Sequence, residues 1–159
     1  PASDVTAVTL RSGAETLEFA KGTNSVWTLK GLTEKEELDT SKLYSLDSAL
    51  AYLDFASVAD PKLTEAELGF ATGAVYAVTV KEGSNTVQKV ARIGNLKPGT
   101  AERYFKIDGD KWTFTISSYS AEQMMKTRAD FVKAKPEPAK PEPAKPEPAK
   151  PEPPKAEAT

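Results

Sequence analysis

The clearest helical pattern in the chain is the stretch Asp39-Thr-Ser-Lys-Leu-Tyr-Ser-Leu-Asp-Ser-Ala-Leu-Ala-Tyr-Leu53. Its leucines recur at three- and four-residue steps, which places them on one face of a helix. They are Leu43, Leu46, Leu50 and Leu53. Side-chain oxygens of Asp39, Thr40 and Ser41 are available to cap the first turn. The spacing therefore predicts an amphipathic helix over residues 39–53 whose leucine face packs on the rest of the fold.

Short strands precede this helix. Alternating apolar residues predict strands at Val5–Leu10, Thr16–Ala20 and Val26–Leu29, and glycine-containing turns separate them. Three short strands joined by tight turns form an antiparallel meander. The charged segment Gly31–Leu38 is expected to be a loop.

A similar pattern follows the helix. Ala56–Ala59 is expected to be an edge strand, and a short helix is predicted from Pro61 to Leu68, closed by Gly69. Further strands and a last helix are then predicted. The strands contain Tyr76–Val80, Thr86–Ile93, Arg103–Ile107 and Lys111–Ile116, with the hairpin turn Asp108-Gly109 before the last of them. The last helix is capped at Ser120 and is predicted to carry Met124, Met125, Phe131 and Val132.

The predicted fold class is α+β, with antiparallel meander strands and helices packed on the sheet. Each half of the chain has a Trp-Thr-hydrophobic strand, Trp27-Thr28-Leu29 and Trp112-Thr113-Phe114, ahead of a helix. This suggests a degenerate internal repeat of strands and then a helix. The alternative is that any α+β domain alternates in this way.

The composition changes abruptly at Lys133, since 9 of the 12 prolines lie from there to the end. Lys-Pro-Glu-Pro-Ala occurs at 135–139, 140–144 and 145–149, and Lys-Pro-Glu-Pro-Pro follows at 150–154. Proline at this density removes backbone donors and favours an extended chain without a core. We therefore predict a globular α+β domain over residues 1–132 and a disordered, polyproline-II tail over residues 133–159.

Several classes of function are disfavoured by composition. The chain has no cysteine and no histidine, which removes disulfides, thiolate nucleophiles, ordinary zinc sites and imidazole bases. Residues 1–132 carry 15 Lys and Arg against 18 Asp and Glu, so the basic surface of a nucleic-acid-binding protein is missing. We expect no enzymatic activity, no cofactor, no metal and no nucleic-acid partner.

Strand aromatic residues are the candidate binding residues. Trp27, Tyr104, Phe105 and Trp112 lie on predicted strands and are able to form a surface for a partner. The alternative is that these side chains pack in the core, as aromatic residues on strands commonly do. Asp108-Gly109-Asp110 lacks the further oxygen ligands of a calcium loop, so we interpret it as a hairpin turn.

The order of these segments resembles the bacterial DUF4340 family, a domain of unknown function, over roughly residues 5–132. The residues that carry the resemblance are Val-Trp-Thr-Leu at 26–29, the helix at 39–53 with Ala56–Asp60, Glu-Leu-Gly-Phe at 67–70, Ile93-Gly94, Arg103-Tyr104-Phe105 and Trp112-Thr113-Phe114. The resemblance implies a non-enzymatic domain of the bacterial periplasm or cell envelope. Some members of that family are linked with ABC-transporter components.

The expected function is a non-catalytic cell-envelope domain that binds or scaffolds a protein partner, for example as an accessory to an ABC-transporter-type assembly. The alternative is a small-ligand-binding module with a pocket between sheet and helices. No apolar run approaches the ~20 residues that span a bilayer. Because the chain begins at Pro1, we expect a fragment or a processed product, with any membrane attachment in a segment missing from this sequence.

Overall fold

The computed structural model describes residues 4–136. Most of the regular secondary structure in this region is antiparallel sheet, and a few short helices accompany it. The elements in chain order are β1 (Val5–Ser12), β2 (Glu15–Lys21), β3 (Trp27–Leu29), β4 (Glu36–Leu38), α1 (Ser45–Ser48), β5 (Phe55–Val58), α2 (Glu65–Leu68), β6 (Ala74–Glu82), β7 (Asn85–Leu96), β8 (Glu102–Ile107), β9 (Phe114–Ser117), α3 (Ser118–Met124), α4 (Arg128–Phe131) and β10 (Val132–Ala134). The predicted α+β class is confirmed.

Eight strands form one sheet in the order β3-β2-β1-β6-β7-β8-β9-β5, and β4 pairs with β10 in a separate ribbon. The strand β1 joins the two meanders, because Val8 lies opposite Phe19 of β2 on one side and opposite Val78 of β6 on the other. Every pairing in the sheet is antiparallel, as predicted for the meanders. The predicted edge strand near Ala56 is confirmed as β5, at one end of the sheet.

The main core lies on one face of this sheet. Strands contribute alternate apolar side chains, and the helices cover them with Leu46 of α1, Met124 of α3 and Phe131 of α4, all three fully buried. The rings of Phe131 and Phe19 meet edge to face, with centroids 4.9 Å apart. Burial of one large apolar side chain contributes about 1.5–3 kcal/mol, so these three residues hold the helices against the sheet.

A smaller cluster occupies the opposite face under α2. It contains Ala59, Leu68, Phe70 and Tyr104. Gly94 of β7 allows α2 to approach the sheet this closely, since a Cβ atom at that position would lie 2.0 Å from the carbonyl oxygen of Leu68. The sheet is therefore covered on both faces near β7 and β8.

The helix predicted over residues 39–53 is shorter than expected. It consists of a 3-10 turn at Thr40–Lys42, the four residues of α1 and the turns that follow. The Ser48 hydroxyl donates to the Tyr44 carbonyl at 2.8 Å, a side-chain bond that competes with regular helix geometry. The leucine face is correct: Leu43 and Leu46 are buried, and Leu50 and Leu53 pack partly buried against the core.

Three helix boundaries differ from the prediction because the capping residues differ. The helix predicted from Pro61 begins only at Glu65, where Thr64 caps it, although it ends at Gly69 as predicted, with φ 73°. The helix predicted from Ser120 begins at Ser118, because the Ser117 hydroxyl accepts the Ser120 N–H at 3.1 Å. That helix was expected to run through Val132, but it breaks after Met124, and residues 128–131 form the separate α4.

The structure also differs from the loop predicted at Gly31–Leu38 and from the predicted start of the tail. The segment Gly31–Leu38, expected to be a loop, contains β4, which pairs with β10. β10 includes Lys133 and Ala134, so folded structure continues past the boundary predicted at residue 132. Residues 137–159, where most of the predicted polyproline tail falls, lie outside the described region.

The proposed internal repeat stays a prediction. Trp27 is buried within β3, whereas Trp112 is exposed and precedes β9, which begins at Phe114 and not at Lys111 as expected. The two Trp-Thr-hydrophobic segments therefore have different local structures.

Candidate partner-binding surface

The four aromatic residues singled out from the sequence do not share one exposed surface. Trp27 packs in the main core, with the Lys21 ammonium 4.9 Å from its ring centroid. Tyr104 and Phe105 are neighbours on β8 and point to opposite faces, each into a buried cluster. Trp112 is 49% exposed. Core packing therefore describes three of these side chains, and Trp112 is the one that a partner can reach.

Exposed large apolar side chains instead form two local groups, one around the α1 segment and one on or beside the outer strand β5. We define the apolar edge as the six residues of these two groups, which come from the α1 segment (residues 39–53), α3, β5 and the residues just before β9. They are Tyr44, Tyr52, Phe55, Val58, Trp112 and Tyr119. In the described region, the remaining exposed residues of this kind are Val26 and Leu96. Clustering of this kind is typical of interaction surfaces, whereas single exposed apolar residues are ordinary.

The α1 segment positions two of the tyrosines. Tyr44, Ser48 and Tyr52 recur every four residues, so they lie on the side of the segment opposite the buried leucines. Tyr52 is 81% exposed. Together with Tyr119 of α3, the two tyrosines line a shallow groove of about 160 Å³. Ser45, Ser48, Ser120 and Gln123 add polar groups to it. Tyrosine rings next to small polar side chains provide rigid contact area with adaptable hydrogen bonding.

Lys126 contacts two of the residues that line this groove. Its ammonium donates to the Ser45 hydroxyl at 3.2 Å and lies 6.0 Å from the centroid of the Tyr44 ring. Burial lowers the pKa of Lys126, although the neighbouring Asp130 carboxylate acts in the opposite direction. The contact holds the Tyr44 ring beside a fixed cation, which favours one orientation of the ring.

β5 forms the other part of the apolar edge. It pairs with β9, and a register shift between Phe55 and Ser57 lets both Phe55 and Val58 flank the side chain of Phe114. The rings of Phe55 and Phe114 stack with centroids 4.3 Å apart. On the opposite face the hydroxyls of Ser57 and Thr115 are 2.7 Å apart. Phe55 and Val58 nevertheless remain 46% and 55% exposed.

Sequence reasoning missed most of these residues. The leucines of the α1 segment were identified from their period, and Tyr44, Ser48 and Tyr52 show the same four-residue period on the other side. An aromatic stripe on the polar side of an amphipathic helix is the signal that was available. Phe55 and Val58 had no such signal in the sequence. Regular alternation would place residues 55 and 58 on opposite faces of the strand, whereas the bulge places both on the same face.

A second opening lies between the sheet and the end of the α1 segment. It is a groove of about 500 Å³ at the end of β6 and the start of β1 and β7. Val5, Val78 and Val80 give it an apolar floor together with Leu50, and Asp4, Asp47, Lys81, Glu82 and Lys89 lie around it. Its volume falls in the range of small-molecule sites. The pocket between sheet and helices that the sequence left as an alternative corresponds to this groove in position.

Two features are absent from the described residues. Residues 4–136 contain no cluster of three or more carboxylate, His or Cys side chains placed to bind a metal ion. None of the helices in this region has the length and hydropathy required to cross a membrane.

Comparison with known proteins identifies no relative of this chain. No family model, no curated protein and no solved structure matches the chain. The resemblance to the DUF4340 family therefore stays a prediction from the sequence.

Proposed function

We propose that the chain is a non-catalytic domain that binds a protein partner through the apolar edge. The observation that carries this proposal is that Tyr44, Tyr52 and Tyr119 line one exposed groove, and that Phe55, Val58 and Trp112 are exposed on or beside the β5–β9 strand pair. Tyrosine, tryptophan and phenylalanine are enriched at the centres of protein interfaces, and tyrosine and tryptophan among the residues that dominate binding energy. Exposed apolar patches mark sites of protein interaction more often than single exposed apolar residues do.

The proposed location is the bacterial periplasm or cell envelope, with an accessory role in an ABC-transporter-type assembly as the finer form of the proposal. This part is supported by the order of sequence segments that resembles the DUF4340 family and by the absence of cysteine. Fractionation of cells that produce the protein tests the location. Recovery in the cytoplasmic fraction would contradict it.

The partner-binding proposal is tested with a variant in which Tyr52 and Tyr119 are both changed to Ser. The control is Val26→Ser, because Val26 is 54% exposed and precedes β3 at the other end of the sheet. Both changes are at exposed positions and should alter stability by about 0.5 kcal/mol or less per site. Immobilised protein is incubated with envelope extract, and each recovered protein is quantified by mass spectrometry.

The expected result is at least one protein recovered with the wild type and with Val26→Ser and reduced about thirtyfold with the double variant. That factor corresponds to a loss of about 2 kcal/mol, the usual threshold for a dominant interface residue. Equal recovery with all three proteins would overturn the proposed surface. Turnover of a substrate by the purified chain would overturn the non-catalytic assignment.

A second candidate function is binding of a small amphipathic ligand in the groove of about 500 Å³. The apolar floor and charged rim favour this class of ligand. A ligand at 100 times its Kd should stabilise the wild type by about 2.7 kcal/mol in a thermal-shift screen. Val80→Phe, which fills the floor, should abolish that shift, and a shift that survives this change would place the ligand elsewhere.

A further inference from the structure

β5 is an edge strand with an accessible outer side. Among the strands that the structure describes, β9 is its one neighbour in the sheet. Phe55, Ala56 and Val58 are exposed. The strand contains neither lysine nor proline, which natural proteins use to prevent further strands from pairing at an edge. The edge at β3 is shorter, with two of its three side chains buried.

The backbone of Val58 faces this outer side. The N–H of the next residue, Ala59, donates to the Thr113 carbonyl at 2.9 Å, so Ala59 belongs to the ladder with β9. Residues alternate between hydrogen-bonded and non-hydrogen-bonded positions in an antiparallel pair. Val58, opposite Phe114, is therefore at a non-hydrogen-bonded position, and its N–H and carbonyl point away from β9. Such a pair of groups is the attachment point for an additional strand.

Charge distinguishes the possible occupants. Exposed carboxylates lie on both sides of the strand, at Asp54 and Asp60, and the nearest lysine in the chain, Lys62, comes after Pro61. A second copy paired antiparallel about Ala56 and Ser57 would bring Asp54 of each copy close to Asp60 of the other. Like charges across a strand pair are destabilising. A segment with Lys or Arg at its ends places opposite charges there instead.

The Lys-Pro-Glu-Pro repeats of the chain are also poor occupants by their sequence. Proline at every second or third position removes the N–H groups that a ladder needs. The favoured occupant is thus an extended segment of another protein, poor in proline and carrying basic residues at its ends.

We infer that β5 binds such a basic-flanked, proline-poor partner segment as an additional β-strand, with its side chains against Phe55 and Val58. This inference rests on the proposed function, and it specifies the form of the partner at the apolar edge. Tyr52 precedes Phe55 by three residues, so the Cα atoms of the two residues are at most ~11 Å apart.

The test uses a phage-displayed library of random linear peptides selected on the full chain. Peptides that are enriched are synthesised, and their affinities are measured by fluorescence anisotropy with two matched variants. Val58→Pro removes the outward N–H at a position where the edge tolerates proline. Val58→Thr keeps the N–H and the β-branched shape.

The selected peptides should be poor in proline, should alternate β-branched or aromatic residues with polar ones, and should carry Lys or Arg near both ends. Val58→Pro should weaken binding about tenfold or more, the loss that one interface hydrogen bond represents, and Val58→Thr about threefold or less. Hydrogen exchange of the Val58 amide in the wild type should slow on addition of peptide, a result that does not depend on the folding of any variant.

An empty selection, proline-rich or acidic peptides, equal affinities of the two Val58 variants, or unchanged exchange at Val58 would each overturn the inference. The double variant of Tyr52 and Tyr119 separates this failure from failure of the proposed function. If Val58→Pro retains the envelope partner and the double variant loses it, the partner binds the apolar edge without adding a strand.

Discussion

The hydroxyl of Tyr76, on β6, donates a hydrogen bond to the backbone carbonyl of Leu46 in α1, and both residues are buried. This bond joins a strand of the second meander to the helical segment that follows the first. A helix as short as α1 has carbonyl groups without partners inside the helix, and Tyr76 satisfies one of them in the core. The buried environment also raises the pKa of Tyr76.

Replacement of Tyr76 by Phe should destabilise the protein by about 1–3 kcal/mol, because it leaves a buried carbonyl without a donor. Urea denaturation monitored by tryptophan fluorescence measures the change. Tyr52→Phe is the matched control, since the hydroxyl of Tyr52 is exposed to solvent, and it should change stability by about 0.5 kcal/mol or less. Equal effects of the two changes would show that the Tyr76–Leu46 bond contributes nothing.

The leucine face of the α1 segment predicts a graded pair of effects. Leu46 is fully buried, so Leu46→Ala should cost about 2–5 kcal/mol. Leu50 is partly buried beside the groove, so Leu50→Ala should cost clearly less. The same denaturation experiment compares the two variants, and a larger loss at Leu50 would contradict the deeper burial of Leu46.

Glu36 should make stability depend on pH in the acid range. The Thr33 backbone N–H and the Arg128 guanidinium hydrogen-bond its carboxylate, at 3.0 and 2.7 Å, and lower its pKa from 4.5 to about 2. Because the folded pKa lies below the unfolded value, the stabilisation is complete above pH 4.5 and is lost as pH falls through about 2.

The carboxyl carbon of Glu36 should therefore titrate near pH 2 in an NMR experiment. Between pH 4.5 and about 2 the melting temperature of the wild type should approach that of Glu36→Gln, which has no charge to lose. A measured pKa of Glu36 near 4.5 would contradict the hydrogen bonds described for its carboxylate.

Gly94 should not tolerate a side chain. Gly94→Ala places a Cβ atom 2.0 Å from the Leu68 carbonyl oxygen, so α2 must move away from β7, and we expect a loss of about 3 kcal/mol or more. At Gly109, where no atom lies within 4 Å of an added Cβ and φ is +88°, Ala should cost about 1–2 kcal/mol from backbone strain alone. Similar losses at both sites would argue against close packing of α2 on the sheet.

Much of the sheet was predictable from local sequence. The alternation of Leu17 with Phe19, or of Tyr76 with Val78, reflects burial on one face, and both pairs are buried as expected. The pairing of β1 with β6 was not predictable, because it depends on which strands of two separate meanders meet. β4 was missed since the Glu-Glu-Leu segment at 36–38 is charged and has no buried side chain.

The residues of the apolar edge were harder to predict from the sequence than the residues of the core. Buried residues repeat with the period of their element, whereas an exposed patch draws residues from elements distant in sequence, such as Tyr52 and Tyr119. The aromatic residues chosen from the sequence were those on the clearest strands, and residues on such strands are mostly buried. Trp112 is the exception, because it lies just outside β9.

The most direct measurement for the apolar edge as a binding surface is site-specific photocrosslinking in cells that produce the protein. A photoreactive phenylalanine derivative is placed at position 52 or 58, or at position 26 as the exposed control. We predict that positions 52 and 58 form a crosslink to the same protein and that position 26 does not. A crosslink of equal yield from position 26, or none from positions 52 and 58, would contradict the account.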